Sequence, residues 1–178
     1  VLVFLFVSSR DEQIAKSRSE LSGLEAIQPA RRLLEHMAQH RALSTVYLSG
    51  DTSVQSDIGK LQGDVTRDLQ EVSDAIARQN DRSYGKDLDG LKATWNILKE
   101  RALGMSNRES FTMHSSAIRL TLGLIRQIGD RSGLTMDPEV ETFYLADNLT
   151  VQVVQTAEAL DDLRAYGAST ASRGKLST

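Results

Sequence analysis

The stretch from Leu33 to Ser53, LLEHMAQHRALSTVYLSGDTS, decides the fold. Leu33, Leu34, Met37, Arg41, Ser44 and Leu48 recur at steps of three and four, the spacing that places side chains on one face of an α-helix. Gly50 then offers a C-terminal stop, and Asp51, Thr52 and Ser53 offer N-cap side chains. A helix that ends on glycine and is followed at once by capping residues predicts a tight turn into an antiparallel neighbour.

The same period extends in both directions. Upstream, Ile14, Ser17, Leu21, Leu24 and Ile27 form the expected buried stripe of the first helix, which Pro29 should kink without ending. Downstream, Val54, Ile58, Leu61, Val65, Leu69, Val72 and Ile76 continue at helical spacing until the polar run Gln79 to Gly85, which reads either as a loop or as a local defect. The pattern resumes through Leu88, Leu91, Trp95, Leu98 and Ala102. Gly104 to Asn107 makes the next turn, with Ser106 and Glu109 at capping-box spacing, ahead of a helix through Phe111, His114, Ile118, Leu122, Ile125 and Ile128. Asp137 and Pro138 predict the start of the last helix, whose stripe is Leu145, Leu149, Val153, Leu160 and Leu163.

With no Asn-Gly hairpin signal, alternating stretch or β-branched run, the expected class is all-α. Four long amphipathic segments must bury their stripes against one another, which predicts an elongated antiparallel four-helix bundle. A chain of 178 residues suffices for one core.

Charge and composition narrow the function classes. The net charge is −3, with 21 basic and 24 acidic residues spread along the chain, so the sequence has no basic stripe to neutralise a phosphate backbone and nucleic acid is not an expected partner. The chain has no cysteine, which removes disulfides, thiolate nucleophiles and thiolate metal sites. Val1 to Val7 are uninterrupted apolar residues before Ser8, too few to cross a bilayer. They read as the end of a transmembrane helix or as a buried helix terminus; on the first reading, residues 1–7 close a membrane span and 8–178 form the bundle domain.

A search for chemistry favours recognition over catalysis. His36 and His40 stand at i,i+4, a spacing that can share a metal, yet Met37 follows the first histidine where a zincin needs glutamate, so no metal site is expected. No phosphate-binding glycine loop, nucleophile elbow or Ser/His/Asp set is present, which argues against an enzyme and against a cofactor. Arg41 lies on the apolar face with Ser44, and His40 stands beside it. A guanidinium so placed either grips a small anionic ligand between helices, or snorkels or pairs with a carboxylate. On the last segment Tyr144 and Asn148 share a face, either toward the same ligand or as core packing. Arg31, Arg119 and Arg126 are reserve candidates.

Several stretches, in order, carry a resemblance: Glu20 to Pro29, Gln39 to Asp51, Ile128 to Pro138 with Phe143 to Asp147, and Leu163 to Ala168. Together they look like the helical periplasmic input domains of bacterial chemotaxis receptors, sensor histidine kinases and diguanylate cyclases. The second stretch is also similar to nitrate- and nitrite-sensing helical domains, with Arg41 and Ser44 on the pattern's arginine and serine. His40 and Ala42 stand where that pattern has glutamate and glycine. The resemblance implies an inner-membrane receptor with this domain in the periplasm, membrane attachment through flanking helices, a homodimer, and a small ligand, such as an anion, or a periplasmic protein as the signal. It also implies that the helical region continues beyond Thr178. A helical spacer or adaptor with no small-molecule site is the competing expectation.

Overall fold

The computed structural model describes residues 2–79 and 84–134, together with Thr156, Leu160 and Leu163. The chain divides into two compact units, Val1–Val140 and Glu141–Thr178. The described part of the first unit is all-α: α1 spans Leu2–Leu48, α2 Gln55–Arg78, α3 Gly85–Arg101 and α4 Asn107–Ser132. Of the second unit, Thr156, Leu160 and Leu163 are helical and exposed. The predicted helix start at Asp137 and Pro138, and candidates Tyr144 and Asn148, lie outside the described residues.

Turn chemistry sets the helix ends. Ser49 and Gly50 close α1, with Gly50 at φ 113°, and the Asp51 carboxylate accepts a hydrogen bond from the Ser53 amide (3.0 Å) to start the short 3-10 turn Thr52–Val54. Ser106 caps α4 by accepting from the Glu109 amide at 3.2 Å, and Gly133 ends that helix in the left-handed region. Pro29 sits inside α1, which continues through it.

The polar run between Gln79 and Gly85 separates two helices that pack antiparallel. Trp95 Nε1 donates to Thr66 Oγ1 (3.1 Å), Lys92 Nζ to Ser73 Oγ (2.7 Å) and Gln62 Nε2 to the Lys99 carbonyl (3.2 Å), so α3 returns alongside α2. Among the described residues the bundle consists of α1 to α4, connected up-down-up-down. At one end Asn107 Nδ2 donates to Ser49 Oγ; at the other Gln79 Nε2 donates to the Ser22 carbonyl, and Gln127 bonds Asp87. Hence α2 and α4 both run antiparallel to α1, which lies between them.

The stripes of α2, α3 and α4 are buried as their periodicity predicts, from Ile58 to Ile76, Leu88 to Ala102 and Phe111 to Ile128. The first half of α1 differs. Ile14 and Leu21 are exposed, at 49% and 60%, because the helix before Ser22 runs past the level of Gln79 and Ser132, where α2 and α4 end; Leu24, 46% exposed, stands on the face turned away from Gly23 and Ala26. The buried face of α1 begins instead at Gly23 and Ala26. A Cβ on Gly23 would stand 2.3 Å from Ser132 Cβ, so glycine is what lets α1 and α4 approach this closely. Leu160 and Leu163, expected in a buried stripe, are exposed at 56% and 66%. Among the described residues, no helix is long and apolar enough to cross a membrane.

Candidate functional site

Near its C-terminal end, the inward face of α1 changes from apolar to polar. Met37, His40, Arg41 and Ser44 follow at helical spacing, and all four are buried. The facing turn of α4 contributes Ser110, Phe111, His114 and Ser115, also buried. Residues separated by 74 positions in sequence therefore meet in one layer, because antiparallel α1 and α4 bring their turns into register.

The layer centres on a direct imidazole pair. His40 Nδ1 lies 2.7 Å from His114 Nε2, and His114 Nδ1 lies 2.7 Å from the Ser110 carbonyl oxygen, with Ser110 Oγ further off at 3.4 Å. A carbonyl only accepts, so His114 carries its proton on Nδ1. In a neutral ring its Nε2 is then a lone pair, and His40 must donate to it from Nδ1. That leaves the lone pair of His40 Nε2, a fully buried atom with no hydrogen-bond partner. Ser44 Oγ stands 3.5 Å from the Nδ1 side of the same ring.

Neutrality of both rings follows from their surroundings. Burial, with His114 close by, pushes His40 down to about 3 from an ordinary 6.5. Burial also lowers His114 to about 4; its bond to the Ser110 carbonyl works the other way, and the Arg41 guanidinium adds to the lowering. The His40 ring meets Trp95 of α3 edge-on, with centroids 5.2 Å apart and planes at 78°. Among the described residues, no carboxylate is bonded to either ring.

Arg41 fills the adjoining part of the layer. Its Nη1 donates to Ser115 Oγ at 3.0 Å, and its guanidinium carbon lies 4.9 Å from the centre of the Phe111 ring, a cation–π distance. The inward placement expected from the sequence holds: Arg41 is 6% exposed. The reserve candidates Arg31, Arg119 and Arg126 are exposed.

His36 does not join His40. It faces α2, where its Nδ1 is 2.6 Å from Oδ2 of the fully buried Asp68, while Arg32 pairs with Asp68 at 3.4 Å and also with Glu71. The i,i+4 histidines thus serve two different interfaces. Among the described residues, no group of three or more His, Asp or Glu side chains is placed to hold a metal ion. The partner of His40 is His114, a residue that sequence reading placed in the α4 stripe without linking it to α1. The signal for it is a polar ring at a stripe position on each of two helices joined in antiparallel register.

A separate open cleft of about 540 Å³ lies between α3 and α4, lined by Thr94, Ile97, Arg108, Glu109, Thr112 and Met113 among others. It contains none of His40, Arg41 and Ser44. Compared with known proteins, the chain matches no family model, no curated sequence and no solved structure.

Proposed function

We propose that this chain is the non-catalytic, extracytoplasmic input domain of a membrane-anchored bacterial signalling receptor of the chemotaxis, sensor-kinase or diguanylate-cyclase type, which works by displacement of α1 relative to α4. The observation that carries the reading is the buried polar layer of His40, Arg41 and Ser44 against His114 and Ser115. Each buried polar group costs stability relative to a leucine of similar volume, and a helix pair that only had to stay together would be more stable without them. Arg41 and Ser44, the residues on α1 that match the receptor pattern, both lie in this layer, beside His40, which stands where that pattern has glutamate. A polar interface between two long helices has more than one way to satisfy its hydrogen bonds, and a signal that favours one arrangement shifts the pair. In a receptor the domain stands in the periplasm, attaches through flanking helices and pairs with a second copy.

One observation favours the spacer reading. Among the described residues the polar layer is buried, with Arg41 bonded to Ser115 and stacked on Phe111, and the cleft between α3 and α4 lies apart from it. A thermal-shift screen of the 178-residue chain against nitrate, phosphate, organic acids, amino acids and amines, with Arg41→Ala in parallel, separates the two. A ligand at 100 times its Kd adds about 2.7 kcal/mol of stability. A hit lost in the variant supports sensing at the layer; no hit across the panel, together with no response to pH, leaves the spacer.

A further inference from the structure

The His40–His114 pair has a property that a structural hydrogen bond does not need. Three of its four ring nitrogens are engaged in a directional chain that ends at the Ser110 carbonyl, and the fourth, His40 Nε2, is a lone pair sealed from solvent without a donor. We propose that the proton is itself the signal read by this layer: His40 Nε2 is a buried proton acceptor, and its occupation parts α1 from α4. This deepens the receptor reading and rests on it for the use made of the movement.

The surroundings of the pair make protonation disruptive. On α1 the neighbouring groups are the Arg41 guanidinium and the Ser44 hydroxyl; on α4 they are His114, Ser110 and Ser115; on α3 the ring meets the neutral indole of Trp95. On α2 the antiparallel register sets Asp64, part-exposed and bonded to Arg67, level with His40, and Asp68, already bonded to His36 and Arg32, one turn away. Among the described residues no carboxylate is bonded to either ring, and an imidazolium formed here stands beside a second cation, Arg41, so the added charge is relieved by moving the ring into water. Because the rings bridge two helices, exposing them separates those helices. Both rings titrate far more readily in the opened form, where their ordinary value is 6.5, than in the closed layer. Linkage then makes the closed-to-open ratio fall about tenfold per histidine, or about a hundredfold for the pair, for each pH unit below that value.

The absence of cysteine makes the test direct, because labels go only where cysteines are introduced. Ala42→Cys on α1 and Arg119→Cys on α4, both exposed, carry nitroxides in the full 178-residue chain. Their distance distribution is measured from pH 7.5 to 4.5, with far-ultraviolet circular dichroism recorded on the same samples. The expected result is a longer-distance population that grows as pH falls while helicity is retained, and that is absent over this range in His40→Leu/His114→Leu. Nitrogen-15 imidazole shifts of the unlabelled wild type give a reading independent of any variant: at pH 7.5 His40 should carry its proton on Nδ1 and His114 on Nδ1. A distance distribution unchanged down to pH 4.5, an identical change in the double variant, or a His40 protonated on Nε2 at neutral pH would each overturn the proposal. An unchanged distance alongside a small-molecule hit lost in Arg41→Ala would remove the proton as signal and leave the receptor reading standing.

Discussion

Acid should destabilise this bundle steeply, and the size of the effect follows from two side chains. His40 and His114 are held at about 3 and about 4 in the folded chain against 6.5 when free. A histidine lowered on folding binds its proton in the unfolded chain first, so its contribution to stability is complete above pH 6.5 and is lost as pH falls toward the folded value. The loss runs at about 1.4 kcal/mol per pH unit for each ring. From pH 7.5 down to pH 5 this gives a loss of about 2 kcal/mol apiece and about 4 kcal/mol together. A domain of this size is stable by about 5–15 kcal/mol, so the loss is large.

Urea unfolding at half-unit intervals from pH 7.5 to 4.5, followed by circular dichroism and Trp95 fluorescence, measures it. Other groups titrate in the same range, so the quantity to compare is the slope of the wild type minus that of His40→Leu/His114→Leu. That difference should reach about 2–3 kcal/mol per pH unit near pH 5.5. The double variant should equal or exceed the wild type in stability at pH 5, because it replaces buried polar rings with apolar side chains. A slope difference below about 0.5 kcal/mol per pH unit would mean that the rings are not held neutral by burial, and the reasoning would fail.

Three further outcomes test the packing that positions the layer. Gly23→Ala improves helix propensity yet should destabilise the chain by about 1–3 kcal/mol in urea, since the added methyl overlaps Ser132. Asp68→Ala should cost about 1–3 kcal/mol by leaving His36 and Arg32 without their shared buried acceptor, and Asp68→Asn should cost less, both read from urea midpoints at pH 7.5. Ser106→Ala removes the α4 cap and should lower stability by about 1 kcal/mol, with faster amide exchange confined to the first turn of that helix.

Most of the bundle could be read from periodicity because its stripes are apolar where they are buried. The turn at Gly50 to Ser53 and the cap at Ser106 were legible for a local reason: a glycine and a capping side chain act on backbone within three residues of themselves. Two features were not legible. The run from Gln79 to Gly85 could be loop or defect, since its composition says that helix pairing weakens there but not that α3 folds back; cross-helix bonds such as Trp95 to Thr66 decide that. The stripe of Ile14 and Leu21 has helical spacing but no partner at its level among the described helices, because period reports which residues share a face and not whether another helix reaches it. For the site, Arg41 and Ser44 announced themselves as polar residues on an apolar face. The link from His40 to His114 needed the register of two helices whose contacting turns are 74 residues apart.

The position of the polar layer along α1 bears on how a parting of helices would travel. Gly23 and Ser132 hold α1 and α4 at a spacing that admits no added Cβ, while His40 and His114 stand 17 residues, about 25 Å, further along α1. A separation at the histidines with the glycine contact kept is therefore a tilt about Gly23, and the 21 helical residues from Leu2 to Ser22 form an arm of about 30 Å on the other side of that pivot. The two arms are of similar length, so a shift of one ångström at His40 moves the start of α1 by roughly the same amount in the opposite sense. Gly23→Ala then has a second, sharper consequence than lost stability. By holding the helices apart at the pivot, it should leave the rings less buried and bring the midpoint at which the folded rings take up protons, read from their nitrogen-15 imidazole shifts, closer to 6.5. A variant that lost stability uniformly across pH with the titration midpoints of both rings unmoved would separate the glycine contact from the histidine layer and refute the lever.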